Sequence, residues 1–169
     1  MSDRHASLGH PSSNLIDGEW ASLAAGGGPL VVSRNPARPS EVVWQGHSRL
    51  DHIDQAIGAA RTAFSVWSRW SRERRIAVLR RFKALCESRV DAIAGLICDE
   101  TGKVMWDAKT EAGALAAKVD ITLDESPSGA LNRVSGFHTP LGGTRQGRCW
   151  FRPHGVMAVI GPFNFPAHL

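Results

Sequence analysis

The sequence predicts an α/β fold: a layer of helices flanked by small antiparallel hairpins and followed by the opening strand of a parallel sheet. Three observations carry this. Between about residues 50 and 123, apolar residues recur at helical spacing in four runs separated by breaks. On either side, short apolar runs are joined by Asp-Gly, Asn-Pro and Gly-Gly turn signals. Last, Val156-Met157-Ala158-Val159-Ile160 is a short apolar run cut off by Gly161-Pro162, the pattern of a buried parallel strand.

The elements follow in order. Residues 1 to about 13 are polar and rich in Ser, His and Gly, which reads as a loose tail. Asn14 to Trp20 holds Asp17-Gly18 between apolar residues, a hairpin signal. Gly26-Gly27-Gly28-Pro29 is a loop; it lacks the helix and Lys of a phosphate-binding loop. Leu30-Val31-Val32 and Val42-Val43-Trp44 read as strands separated by Asn35-Pro36-Ala37-Arg38-Pro39. A first helix is expected from about Leu50 to Trp67, with Ile53, Ile57, Ala60, Phe64 and Trp67 on its buried face. Asp51 and Asp54 suit the positive end of its dipole. Ser71 is the expected N-cap of a second helix, weakened because Arg74 stands where a capping box needs Glu. Ile76, Leu79, Phe82 and Cys86 form its stripe. A third helix spans about Val90 to Glu100, with Ile93, Ala94 and Ile97 inward and Gly102 as its left-handed stop. The fourth, roughly Val104 to Leu123, is Ala-rich, and Ala108, Ala112, Leu115, Ala116 and Val119 share a face. Ser126-Pro127-Ser128-Gly129 breaks the helical region, and two antiparallel strands are expected at about 133–138 and 146–153 around Gly142-Gly143.

Composition narrows the class. The chain has 169 residues, 43% apolar and 21% charged, enough for a packed core and too apolar for disorder. No stretch approaches the ~18 uninterrupted apolar residues of a membrane helix, and the N-terminus has no apolar signal core. A cytoplasmic location is the default expectation. Three Cys without a CxxC pair do not make a disulfide framework; Cys86, Cys98 and Cys149 read as small packed side chains. The net charge of +4 is concentrated between Arg69 and Lys83, interleaved with Glu73, and reads as a solvated helix face rather than a nucleic-acid surface.

Gly155-Val156, followed by Gly161-Pro162-Phe163-Asn164-Phe165-Pro166, resembles the aldehyde dehydrogenase superfamily's G-V-x-x-x-I-x-P-[WF]-N-[FY]-P segment. Glu100-Thr101-Gly102-Lys103 is similar to its E-T-G-K helix end. Arg152-Pro153-His154 and Ala167-His168-Leu169 resemble the branch that oxidises N-succinylglutamate 5-semialdehyde in bacterial arginine catabolism. The likeness runs from about Asn14 onward. It implies a division into a tail (1–13), the N-terminal part of a cofactor-binding domain (14–128), a β-arm that bridges subunits (129–154) and the start of a Rossmann-like sheet (155–169). It also implies NAD as cofactor, with NADP left open, a small aldehyde as substrate and a homo-oligomer, with no nucleic acid or membrane partner. Ser40 departs from the family's Gly in its N-P-x-x-G-E turn.

The same likeness assigns the site. Oxidising an aldehyde needs a thiolate, an oxyanion donor, a hydride acceptor and a general base. A carboxamide NH₂ is a suitable oxyanion donor because it is neutral and keeps its protons at neutral pH. By motif, Asn164 takes that role, and Ile160, Gly161, Pro162 and Phe163 line the cofactor. Without the flanking motif, Asn164 would read as a turn residue and Phe163 as core packing. Gly161 stands where an apolar residue is commoner, so its backbone would face the cofactor. The family's nucleophilic Cys, general-base Glu, ribose-reading Lys and Gly-rich turn lie C-terminal to this motif. No G-x-G-x-x-G occurs in the chain. The expectation is therefore an N-terminal portion, inactive alone, whose 156–160 strand lacks neighbours. The alternatives are a non-catalytic module that pairs with a full-length subunit, and a basic helical nucleic-acid binder.

Overall fold

A computed structural model describes residues 12–167. Among the described residues, three separate two-stranded antiparallel hairpins accompany the helices; the first strand packs on the first helix and the third strand on the third helix. The first joins β1 (Ser13–Ile16) to β2 (Glu19–Ser22). Its turn places Asp17 at φ 53° and Gly18 at φ 82°, the double positive φ of the tight turn that matches strand twist. β3 (Leu30–Arg34) pairs with β4 (Val42–His47), with a register shift at Ser33/Arg34. Between them Asn35 is buried; its side-chain oxygen accepts from the backbone N–H of Ala37 and Arg38, and its amide donates to Asp99.

The helices fall close to their expected bounds: α1 (Asp51–Trp67), α2 (Arg72–Glu87), α3 (Val90–Thr101) and α4 (Met105–Thr122). Ser71 caps α2 by accepting from the Arg74 N–H at 3.3 Å. Gly102 ends α3 at φ 74°, where its N–H reaches the Cys98 carbonyl, and only a residue without a Cβ adopts that angle freely. The α3–α4 contact holds the core. Ala94, Ile97, Ala108 and Ala112 are buried together, and Ala116 and Val119 extend the same face of α4 toward α2. Small side chains let the two backbones approach closely, so the predicted Ala-rich face is the packed one. Of the basic residues around α2, Arg72 pairs with Glu125, Lys83 with Asp120, and Arg74 lies 3.7 Å over the Trp70 ring.

Four expectations need correcting. The α1 stripe is only partly inward: Ala60, Phe64 and Trp67 are half-buried, but Ile53 and Ile57 are exposed. The main neighbour of α1 is the small β1–β2 hairpin, which covers too little of the helix. His52 is buried instead, accepting from the Asn14 amide at 3.1 Å. On α2, Phe82 is exposed while Cys86 is buried. The arm strands are shorter than expected, β5 (Phe137–Pro140) with β6 (Gln146–Cys149), because a short helix, α5 (Ala130–Arg133), occupies the start. With Phe137 opposite Cys149, Trp150 and Phe151 find no partner strand and stay exposed.

The fourth concerns the run that was to open a parallel sheet. Residues 156–160 join no ladder among the described residues, and Val156, Met157, Val159 and Ile160 are exposed. A strand exists only through its hydrogen-bonded neighbours, and no described strand lies beside this one. The tail up to residue 11 and the motif residues His168 and Leu169 lie outside the described residues.

Candidate active site

The Glu100–Lys103 helix end and the Asn164 motif meet in space, and α4 joins them. At the end of α3, the Thr101 hydroxyl donates to the Ile97 carbonyl at 2.6 Å and accepts from the Lys103 N–H at 3.3 Å. This tightens the turn after Gly102 and sends Lys103 back along α4. There its ammonium donates to Glu111 at 2.5 Å, 3.9 Å from Asp107. Glu111 sits on the Ala face of α4, between Ala108 and Ala112, with its side chain 3% exposed. Its second oxygen accepts from the backbone N–H of Ala167 at 2.8 Å. Both carboxylate oxygens are therefore satisfied, which a buried charge requires.

The terminal motif is held at the same point. Lys103 lies 4.1 Å from the centre of the Phe165 ring, a cation–π contact. Ala167 packs against the α3–α4 core. Phe163 and Asn164 form a turn between the free run and this docked end, and Asn164 is exposed there. Ile160 is 96% and Phe163 91% exposed; Pro162 is half-buried. Gly161 is exposed, and a Cβ built on it would meet nothing within 4 Å. The structure thus places Ile160, Gly161, Pro162, Phe163 and Asn164 on one open stretch, anchored on its C-terminal side.

Glu111 escaped the sequence reading. The signal was present: a carboxylate at 111 falls on the same helical face as Ala108 and Leu115, where an acid must have a partner. The partner, a backbone N–H 56 residues away, has no local signature.

A cleft of about 300 Å³ opens beside the docked end, lined by Leu79, Phe82, Leu115, Val119 and Ala167 with Lys118 and Thr122 at its polar side. Neither Cys86 nor Cys98 is an activated thiol. Cys86 is buried within the helices, and burial pushes its thiol pKa up; Cys98 packs against the core and is raised in the same way. A raised thiol is the opposite of an activated nucleophile. Among the described residues, no group of three His, Cys, Asp or Glu is placed to hold a metal. No described helix is long and apolar enough to cross a membrane.

Residues 24–169 match the model of the aldehyde dehydrogenase family. The chain is 45% identical over 156 residues to the N-succinylglutamate 5-semialdehyde dehydrogenase of Paraburkholderia xenovorans, covering 92% of this chain and 30% of that one. Among solved structures it is similar to an E. coli NADP dependent enzyme, with a TM-score of 0.80 at 28% identity, over 96% of this chain and 32% of that one. It also shares its fold with the NADP-dependent glyceraldehyde-3-phosphate dehydrogenase of Bacillus halodurans, with a TM-score of 0.75 at 23% identity over 94% and 33% of the two chains. The chain spans about a third of the length of these relatives.

Proposed function

Because the chain belongs to the aldehyde dehydrogenase family, we propose that it is the N-terminal portion of an NAD(P)-dependent dehydrogenase that oxidises N-succinylglutamate 5-semialdehyde to the carboxylate. The observation that carries this is the anchored terminal turn, which presents the Asn164 carboxamide to solvent beside the open stretch 160–163. The choice of substrate is supported by the likeness to the Paraburkholderia xenovorans enzyme and by the residues around the motif.

In this reading Asn164 donates an N–H to the oxygen that gains negative charge when a thiolate adds to the aldehyde carbon. Such a donor contributes ~3–4 kcal/mol of transition-state stabilisation. Ile160, the Gly161 backbone, Pro162 and Phe163 form one wall for the nicotinamide ribose. Their exposure and the open space over Gly161 are compatible with a flat ligand resting there. When bound, the dinucleotide supplies the hydride acceptor. By the motif likeness, the thiolate and the general base of the complete enzyme lie C-terminal to the Asn164 motif; Cys86 and Cys98, packed with raised thiols, are not suited to the nucleophile's part. Residues 14–128 serve the cofactor-binding domain, 129–154 the subunit-bridging arm and 155–169 the start of the sheet, so the complete enzyme is a homo-oligomer in the cytoplasm.

The test is the intact mass of the native product together with its activity. A species much heavier than 18.3 kDa that reduces NAD⁺ or NADP⁺ with the semialdehyde, while the purified 169-residue chain does not, is the expected result. Reduction by the short chain, or a native product of 18.3 kDa, overturns it. The exposed Trp150 and Phe151 favour a second reading, a non-catalytic module seated on a full-length subunit; co-purification with an active dehydrogenase would then accompany the light species.

A further inference from the structure

The carboxylate of Glu111 is out of keeping with its surroundings. The face of α4 on which it sits is built from Ala108 and Ala112, both fully buried, and an alanine or leucine there would fill the space without the cost of burying a charge. What the acid supplies is a pair of directed acceptors. One oxygen takes the Ala167 N–H at 2.8 Å and the other takes the Lys103 ammonium at 2.5 Å, and Lys103 in turn lies 4.1 Å from the centre of the Phe165 ring. The terminal turn is thus attached at two points, one and three residues past Asn164. On its other side, residues 150–162 form no helix or strand, so the attachment fixes the turn from one end alone.

We infer that Glu111, with Lys103 as its counter-charge, is a positioning residue that clamps the Asn164 turn onto α4 and so sets where the Asn164 carboxamide stands. The inference rests on the reading of Asn164 as the oxyanion donor. Glu111 contacts the Lys103 ammonium and the Ala167 N–H and acts through the turn.

Amide hydrogen exchange followed by NMR on the 169-residue chain tests it without aldehyde or nucleotide. In the unsubstituted chain the Ala167 amide is expected to be protected, while those of Val159 and Ile160 exchange freely. Glu111→Ala should speed exchange at Ala167 at least tenfold and leave Ala116 and Val119 unchanged. Glu111→Gln keeps an acceptor for Ala167 but loses the charge facing Lys103, so it should give intermediate protection and shift the Phe165 ring signals. A general loosening of α4 would instead move Ala116 and Val119 together with Ala167, and overturn the clamp. So would equal protection at Ala167 in all three chains. If Glu111→Ala does not fold, the glutamine variant decides. An unprotected Ala167 in the unsubstituted chain overturns the clamp with no variant at all. The readout involves no catalysis, so the clamp can fail while the dehydrogenase reading stands, and an inactive complete enzyme with Ala167 still protected would count against that reading alone.

Discussion

Replacing Lys103 by methionine removes the charge from a pair whose acid is nearly sealed from water. The Glu111 side chain is 3% exposed and Lys103 16%, so solvent screens the pair weakly. Leaving one partner of such a pair buried alone costs about 3–5 kcal/mol. Lys103→Met is therefore expected to lose about 3–5 kcal/mol. Urea unfolding followed by circular dichroism measures it. With a slope of about 1–3 kcal/mol per molar, the midpoint should fall by at least about 1 M. A loss below about 1 kcal/mol would refute the reasoning. The double variant Lys103→Met, Glu111→Leu should recover most of the stability, because an apolar pair carries no desolvation cost.

Two further expectations concern local features. Gly102→Ala should cost about 1 kcal/mol in the same urea assay; the added Cβ meets Pro36 only at ordinary contact distance, so the cost is that of φ 74° alone. At the start of α1, the hydrogen bond and charge of Arg49 hold the Asp51 carboxyl down to about 2. Its contribution to stability is present above the ordinary carboxylate pKa and fades as pH falls toward 2. NMR titration should show Asp51 returning toward its ordinary value in Arg49→Ala, and an unchanged midpoint would refute the pairing.

What could be read from the sequence was what a few neighbouring residues decide. Asp17-Gly18, Ser71, Gly102 and the Ala spacing of α4 each carry their cause within one or two turns of chain, and each forms as expected. The short α5 is a single turn, too brief for periodicity to reveal. The inward face of α1 depends on a neighbour, and the β1–β2 hairpin covers only part of it, so a good amphipathic pattern leaves Ile53 and Ile57 exposed. The 156–160 run has the composition of a buried strand, but composition does not provide the adjoining strands. At the site, Asn164 and its flanking residues were legible as a motif. Glu111 was not, because its partner lies 56 residues away and is a backbone group with no identity of its own.

The core where α3 meets α4 is made largely of methyl groups. Ala94, Ala108 and Ala112 are fully buried, and no large side chain among the described residues is sealed to the same degree. Little apolar area is therefore hidden relative to the length of helix that is ordered, and the heat capacity of unfolding follows that area. The chain should fall below the ~12–15 cal/mol/K per residue of ordinary domains. A shallow stability curve and a broad calorimetric transition go with it, so this helical layer would soften over a range of temperature instead of collapsing at one.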